Sequence, residues 1–197
     1  MDRFLNALSA QYFEKVSKSI LDDYFTKYGF ILLVSNKHRV VYNRSDIYLE
    51  IYYYPEDSPS YSLMIGIGFI KENNDSIGFN GTGLWYALPA DYDYNNWSFT
   101  SKEELERSIK LICNCVLERF AKPLWENPDK LQHFVDAQLN ESKMIGDNQR
   151  KQQILIKAKH AFKSNAHNDA VELFEMIGVE YLTNVERKMY NICKKQC

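Results

Sequence analysis

An alternating pattern runs through DIYLEIYYY, residues 46–54, and indicates a β-strand with two different faces. One face would carry the apolar side chains of Ile47, Leu49, Ile51 and Tyr53. The other face would carry Asp46, Tyr48, Glu50, Tyr52 and Tyr54. A polar loop at residues 55–59 follows, and residues 61–70 alternate again, so the two stretches predict a β-hairpin.

The residues before this hairpin extend the same architecture towards the N-terminus. Apolar residues recur every three or four positions from residue 2 to residue 28, which predicts an amphipathic helix that ends at Gly29. Short apolar runs at residues 30–34 and 39–43 predict two more strands. Together these patterns predict an N-terminal helix followed by an antiparallel meander of about four strands.

The stretch after the hairpin, residues 71–99, has no clear period. Gly78, Gly81 and Gly83 are typical of turns, so we expect an irregular segment that is rich in aromatic residues. A loop of this length either folds onto the sheet or carries a function.

Helical signals dominate the second half of the chain. Ser101 and Glu104 form a capping box that begins one helix, and Asn127 before Pro128 begins another. The Gly-Asp-Asn sequence at residues 146–148 is expected to break the second helix.

Three short helices are predicted for the tail, and a capping box at Thr183 and Glu186 begins the last of them. The fold class that follows is α+β: an N-terminal helix, the meander, and then an all-helical C-terminal half. We predict two domains, an α+β domain at residues 1–146 and a small helical subdomain at residues 147–197.

Composition limits the classes of function. The chain has 197 residues, 45 % of them hydrophobic, and its net charge of -2 without a basic stripe argues against nucleic-acid binding. No apolar run is long enough to cross a bilayer, and the N-terminus lacks the pattern of a signal peptide. We therefore expect a cytoplasmic protein with reduced cysteines and no membrane partner.

Motifs for catalysis are missing from the sequence. The glycines do not form a phosphate loop, and no pair of histidines has the spacing of a helical metal site. Cys113 and Cys115 fall among apolar residues in a predicted helix, where thiols are usually inert. We predict no catalytic residue, metal site or cofactor, although residues distant in sequence can still converge in space.

The hairpin and the aromatic segment supply a candidate surface for binding another protein. Tyrosine gives a large contact area at low entropic cost, and carboxylates beside it attract a basic partner. The predicted partner-binding residues are Asp46, Tyr48, Glu50, Tyr52, Tyr54, Asp57, Asp91, Tyr92, Tyr94 and Trp97. Two alternatives remain: the carboxylates form a solvated sheet face, or helices cover the tyrosines and make them part of the core.

The order of these strands resembles a known group of proteins. Tyr28-Gly29-Phe30, residues 39–42, residues 46–53 and the stretch from Ser62 to Gly66 carry the resemblance, which covers about the first third of the chain. They resemble small bacterial proteins of unassigned function and the immunity proteins encoded beside contact-dependent or polymorphic toxins. The resemblance implies a non-catalytic bacterial protein that neutralises a toxin by binding it, with a basic toxin domain as the partner.

A second resemblance lies in the tail. Ala158, Ala161 and Phe162, followed by residues 170–174, look like one tetratricopeptide-type helical hairpin. A single unit cannot form a solenoid, so it serves packing or contacts a peptide. Two other functions stay open: an adaptor that uses this tail, and a nucleotide-binding or enzymatic component of a defence system. The latter would use a pocket built from Trp85, Tyr92, Tyr94 and Trp97.

Overall fold

The structure, a computed structural model, describes residues 2–54, 61–73, 76–93 and 97–196. The first element is helix α1 (Asp2–Thr26). Gly29 follows it with a φ angle of 75°, and the Phe30 amide donates back to the Phe25 carbonyl at 3.1 Å. The predicted glycine stop is therefore confirmed, since a left-handed residue at this position favours glycine.

The strands form one antiparallel sheet and a small two-stranded ribbon. The strands in chain order are β1 (Ile31–Ser35), β2 (Arg39–Arg44), β3 (Ile47–Tyr52), β4 (Tyr61–Ser62), β5 (Met64–Asn73), β6 (Ser76–Gly83) and β7 (Ser98–Phe99). The main sheet has five strands in the order β1-β2-β3-β5-β6, and β4 pairs with β7. Leu49 lies between Tyr42 and Ile67, which fixes the register at the centre of the sheet.

The predicted α+β class is confirmed. The prediction that residues 71–99 are irregular is partly wrong. Its first part forms the end of β5 and all of β6, and Leu84–Ala87 forms a 3₁₀ helix. Gly78, Gly81 and Gly83 lie within β6 and pair with β5 instead of forming turns. The sequence pattern did not predict strand β6, because glycine is depleted in strands and has no side chain to contribute to an alternating pattern.

A long helical run covers the sheet. It begins with α2 (Lys102–Leu111), continues as a π-helical segment (Ile112–Ala121) and ends with α3 (Lys122–Trp125). Both predicted helix starts are confirmed. The Ser101 hydroxyl accepts from the Glu104 amide at 3.2 Å, and the Asn127 side chain accepts from the Lys130 amide at 3.0 Å.

The main core lies between these helices and one face of the sheet. Aromatic rings pack at its centre, with the centroids of Phe25 and Tyr42 4.6 Å apart and those of Phe30 and Trp125 5.4 Å apart. The Tyr42 hydroxyl donates to Asp22 at 2.6 Å and ties β2 to α1. Burial of this apolar area supplies most of the stabilisation of the sheet.

The chain divides into two compact units, Met1–Gln138 and Leu139–Cys197. The boundary falls inside α4 (Pro128–Lys163), which continues through residues 146–148, so the predicted helix break is wrong. A single glycine costs a helix only about 1 kcal/mol, and the good helix formers before it and from Gln149 to Gln153 after it offset this cost.

The second unit has a small core of its own. It contains the end of α4, followed by α5 (His167–Ile177), a 3₁₀ helix (Val179–Tyr181) and α6 (Asn184–Lys194). The predicted capping box is confirmed: the Thr183 hydroxyl accepts from the Glu186 amide at 3.3 Å, and the Glu186 carboxylate accepts from the Thr183 amide at 2.9 Å. The buried residues include Ala158, Ala161, Ala170, Phe174, Tyr190 and Cys193.

Candidate recognition face of the sheet

The five-stranded sheet has one face under the helices and one that they leave uncovered. The buried residues of α1, α2 and α3 form one core with Val40, Tyr42 and Leu49, which define the closed face. In the described part of residues 1–138, no α-helix packs against the opposite side, called here the open face. The strand register places on it Ile31, Arg39, Val41, Asn43, Tyr48, Glu50, Tyr52, Met64, Ile70, Ile77 and Phe79.

Four glycines form the floor of the open face. Gly66 lies opposite Gly83, and Gly68 lies opposite Gly81, so the glycines make two adjacent cross-strand pairs. A Cβ atom on Gly81 would collide with the Tyr48 hydroxyl. We call this group the glycine floor, and it allows longer side chains to lie flat on the sheet.

Two of these longer side chains come from β3 and one follows β6. A Cβ atom on Gly66 would collide with the Glu50 carboxylate, and one on Gly83 would collide with the Trp85 ring. Tyr48, Glu50 and Trp85 therefore occupy the space above the glycine floor.

A cation and an aromatic ring complete this layer. The Arg39 Nε donates to Glu50 Oε2 at 2.5 Å, and the guanidinium lies 4.5 Å from the centroid of the Phe79 ring. The Phe79 ring in turn meets Tyr48 edge to face, with the centroids 4.8 Å apart. Arg39 and Phe79 belong to β2 and β6, which would lie roughly 14 Å apart in a flat sheet. Their contact shows that both side chains extend over the strands between them, across the glycine floor.

The electrostatics of the layer follow from its burial. Burial raises the pKa of the Tyr48 hydroxyl, and the nearby Glu50 carboxylate adds to this effect. Burial also raises the pKa of Glu50, and the opposing attraction of Arg39 does not fully offset it. The layer thus holds the Glu50 carboxyl group paired with Arg39, next to the protonated hydroxyl of Tyr48.

The predicted hairpin residues differ widely in how much of each side chain is exposed to solvent. Tyr48 is 3 % exposed and Glu50 is mostly buried, so both belong to the layer on the glycine floor. Tyr52 is half-buried, with its ring 5.6 Å from that of Tyr54, which is 52 % exposed. Asp46 is exposed at the turn that joins β2 to β3. The accessible part of the predicted set on this hairpin is therefore Asp46, Tyr52 and Tyr54.

The predicted residues of the aromatic segment lie elsewhere. Asp91 is exposed, whereas Trp97 is buried. The half-buried Tyr92 ring packs between Trp97 and Phe120, at centroid distances of 5.7 and 6.4 Å, so it joins the core of the closed face. Asp57 and Tyr94, the other two predicted residues, lie outside the described residues.

Among the described residues, open-face side chains line two of the cavities. One, of about 400 Å³, is lined by Ser62, Leu63, Met64, Trp85 and Trp97, and we call it the indole cavity. The other, of about 420 Å³, is lined by Leu33, Asn43, Ser45, Asp46, Ile70 and Ile77, and we call it the turn cavity. The first is suited to a flat apolar group, while the second combines an apolar wall with hydrogen-bond acceptors.

Sequence reasoning missed the contributions of Arg39, Phe79 and Asn43 to this face. A usable signal was present, because Gly66 and Gly68 share one strand face and Gly81 and Gly83 share another. Glycines at period two on paired strands indicate a close approach by other groups. Because these glycines were interpreted as turn residues, their period-two spacing was not recognised as evidence for a close approach by other groups.

Three observations on the described residues concern thiol chemistry, metal binding and membrane-spanning helices. Burial raises the pKa of the Cys113 thiol to about 12, which keeps it protonated near neutral pH. No three His, Cys, Asp or Glu side chains within the described ranges are grouped closely enough to hold a metal ion. Across the same part of the chain, no helix combines the length and apolar character needed to span a membrane.

Comparison with protein-family models, curated proteins and solved structures gave no match to this chain. The proposed function therefore depends on the residues of the open face themselves.

Proposed function

We propose that this chain is a non-catalytic protein that binds another protein through the open face, and that it neutralises a toxin in the manner of an immunity protein. The observation that carries the proposal is the aromatic surface that no α-helix covers within the described part of residues 1–138. A sheet face that meets only water normally carries small polar residues. This one carries rings and aliphatic side chains, which are typical of a protein interface.

Exposed apolar groups at the margin of the face support the proposal. Ile31 is 67 % exposed, Ile77 is 50 % exposed, and Tyr54 exposes about half of its surface. Single exposed apolar residues are ordinary, but Ile31 and Ile77 share one face of one sheet, and Tyr54, just beyond the end of β3, places its ring against Tyr52 of the same face. A partner that covered them would gain the free energy of removing that area from water.

The layer below this margin is already ordered in the free protein. The ion pair between Arg39 and Glu50, the ring contact between Tyr48 and Phe79, and the glycine floor fix its shape. A preformed surface loses less conformational entropy on binding than a flexible one. This order favours tight association with a partner of complementary shape.

The exposed acidic groups of this chain favour a positively charged partner. Asp46 and Asp91 are exposed, and the chain as a whole carries a net charge of -2. Exposed carboxylates increase the rate of association with a basic protein, and salt weakens this effect. A basic toxin domain fits both features.

The test is co-expression with the product of the adjacent gene. We expect the tagged chain to capture that product and to protect cells that express it. Tyr54→Ala should reduce both capture and protection. The matched control is Tyr181→Ala, which removes a tyrosine that is 66 % exposed on the second unit. Absence of both capture and protection would sink the proposal.

The indole cavity supports a second candidate, a nucleotide-binding component of a defence system. Trp85 and Trp97, two residues of the predicted aromatic pocket, line this cavity together with Met64. Indole rings stack on flat bases, which gives the cavity a use in such a protein. A thermal-shift screen with nucleotides and divalent metals tests it, because a ligand that binds the folded state raises its stability. A flat response would exclude this candidate.

A further inference from the structure

The two edges of the five-stranded sheet differ in how well they are protected against pairing with another strand. Strand β1 forms one edge and β6 forms the other. Strand β1 has only five residues, and its pairing with β2 shifts register between Leu32 and Val34. Strand β6 has eight residues in unbroken register with β5, and it contains no charged residue and no proline. Edge strands usually carry a charge, a bulge or a proline that prevents further pairing, so β6 is the unprotected edge.

The hydrogen bonds of the sheet show which backbone groups of β6 face outwards. The Ile70 amide donates to the Asp46 carbonyl at 2.6 Å, so the even-numbered residues of β5 direct their backbone groups to β3 and the odd-numbered ones to β6. Phe69 lies opposite Asn80, so the even-numbered residues of β6 are the ones that bond to β5. The odd-numbered residues of β6 therefore point their N–H and C=O groups away from the sheet.

The described part of the chain leaves this outer edge uncovered. Between Ile77 and Gly81, no backbone group forms a hydrogen bond with a described segment outside the sheet. The Phe79 ring lies towards Tyr48 and Arg39, on the inner side of β6, and does not cover the outer backbone. Ile77 is 50 % exposed, and residues 78–82 are each partly exposed. The outward N–H and C=O groups are thus available to another strand.

The sequence of β6 favours a second copy of the same strand as its partner. If Asn80 lies opposite Asn80 of the second copy in an antiparallel pair, Phe79 lies opposite Gly81 and exchanges two backbone hydrogen bonds with it. In the same register, Ile77 lies opposite Gly83. Each large apolar residue therefore faces a glycine, and no like charges meet because β6 carries none.

Asn80 would lie on the two-fold axis of this pair. Its backbone groups point to β5, so it would form a pair without backbone hydrogen bonds, in which the two Cα atoms are about 4.5 Å apart. The partly exposed Asn80 side chain forms no hydrogen bond within the described ranges. Two carboxamides that face each other at this distance can each donate to the other, since every carboxamide has both a donor and an acceptor.

From this arrangement we infer that β6 pairs with β6 of a second copy of this chain, antiparallel and centred on Asn80, so that two five-stranded sheets join into one. The inference goes beyond the proposed function, because the pairing uses the edge of the sheet and not its open face. A two-fold axis perpendicular to the sheet places both open faces on the same side of the dimer, where each can still bind a partner.

Sedimentation velocity of the full chain at a series of concentrations tests the pairing. We expect a dimer that dissociates on dilution. Asn80→Asp keeps the size of the side chain but makes two carboxylates face each other across the axis, so it should weaken the dimer at least about tenfold, and added salt should reduce this loss. The matched control is Asn168→Asp, which makes the same change at an exposed position of the second unit and should dimerise like the wild type.

A mixture of two variants provides a sharper test of the register. Asn80→Lys should weaken the dimer for the same reason as Asn80→Asp. An equimolar mixture of the two variants should restore it, because opposite charges then meet across the axis. This restoration distinguishes lost pairing from lost folding, since two chains that do not fold would not form the dimer when mixed.

A species with the mass of one chain at every concentration up to about 100 μM would overturn the inference. A dimer that both variants leave unchanged, or a mixture of the variants that stays monomeric, would do the same. A monomeric chain whose Asn80→Asp variant no longer captures the adjacent gene product would also overturn it, and would assign the edge to a strand of another protein.

Discussion

The two faces of the sheet are both rich in aromatic residues, yet they become buried by different means. On the closed face, Tyr42 packs against Phe25 of α1, which in turn contacts Trp125 of α3, so helices from distant parts of the chain cover this face. On the open face, Tyr48 is covered by neighbours on the same sheet, with Phe79 beside it and Gly81 below it. The first arrangement stabilises the fold, and the second shapes a surface that a partner can reach.

This difference separates the effects of mutations. Residues on the closed face should change the free energy of unfolding strongly. Residues at the margin of the open face should change binding with little effect on stability. Residues in the layer between the glycine floor and the margin should fall between these two limits.

The largest loss of stability is expected from the closed face. Trp125→Ala removes a side chain that is 1 % exposed and contacts the rings of Tyr28 and Phe30, and it should lower the free energy of unfolding by about 3–5 kcal/mol. Urea denaturation measures this loss. If Trp125→Ala does not fold, Trp125→Phe can be measured instead, and it should lose less stability because it keeps an aromatic ring. A loss below about 1 kcal/mol for Trp125→Ala would mean that the closed face does not hold the fold together.

The glycine floor should show the next largest effect. Gly68→Ala would place a Cβ atom against the backbone at Asn80 and Gly81, which cannot move without distorting β6, so we expect a loss of about 1–3 kcal/mol. Gly66→Ala meets only the Glu50 side chain and should cost less. Urea denaturation of both variants compares them. Equal stability of Gly68→Ala and the wild type would show that the floor needs no glycine there.

A smaller effect should appear as a dependence on pH. Burial raises the pKa of Glu50 above its ordinary value, so the folded state favours the protonated form of this carboxyl group. Its contribution to stability is then fully present below the ordinary pKa and decreases as pH rises through the raised value. The free energy of unfolding of the wild type, minus that of Glu50→Gln, should therefore fall as pH rises from about 4 towards neutrality.

Denaturation of both proteins at a series of pH values measures this difference. The titration of the other carboxylates is the same in both proteins, so it cancels when one free energy is subtracted from the other. A difference that stays constant or rises with pH would show that Arg39 outweighs burial at this position.

The smallest change in stability is expected at the margin of the open face. Tyr54→Ala and Asp46→Asn remove exposed groups and should each alter the free energy of unfolding by no more than about 0.5 kcal/mol. Thermal unfolding of these variants provides the check. A loss of several kcal/mol in either variant would assign that residue to the fold rather than to the surface.

Local patterns made much of the fold predictable. The alternation in β3 appears directly in the sequence, and the helix caps at Ser101, Asn127 and Thr183 depend on residues only a few positions apart. Strand β6 was missed because its glycines suppress the alternation. The break predicted near Gly146 was wrong because one glycine is a weak signal within a long helical pattern.

The candidate site was less predictable because burial on the open face is not local. Tyr48 and Tyr54 occupy equivalent positions in the alternation of the hairpin, yet one is buried and the other is half exposed. Tyr48 is buried through Gly81 and Phe79, which are more than thirty positions away in sequence. The turn cavity likewise combines Asn43 with Ile70 and Ile77, so only the strand register reveals it.

The most direct test of the account compares two exposed tyrosines in one binding experiment. Calorimetry would measure the affinity of the adjacent gene product for the wild type, for Tyr54→Ala on the open face and for Tyr181→Ala on the second unit. If the open face is the binding surface, Tyr54→Ala should weaken binding by about tenfold or more, as expected for an aromatic residue at an interface, while Tyr181→Ala should bind like the wild type. Weaker binding by Tyr181→Ala with no change in Tyr54→Ala would contradict it and assign recognition to the helical tail.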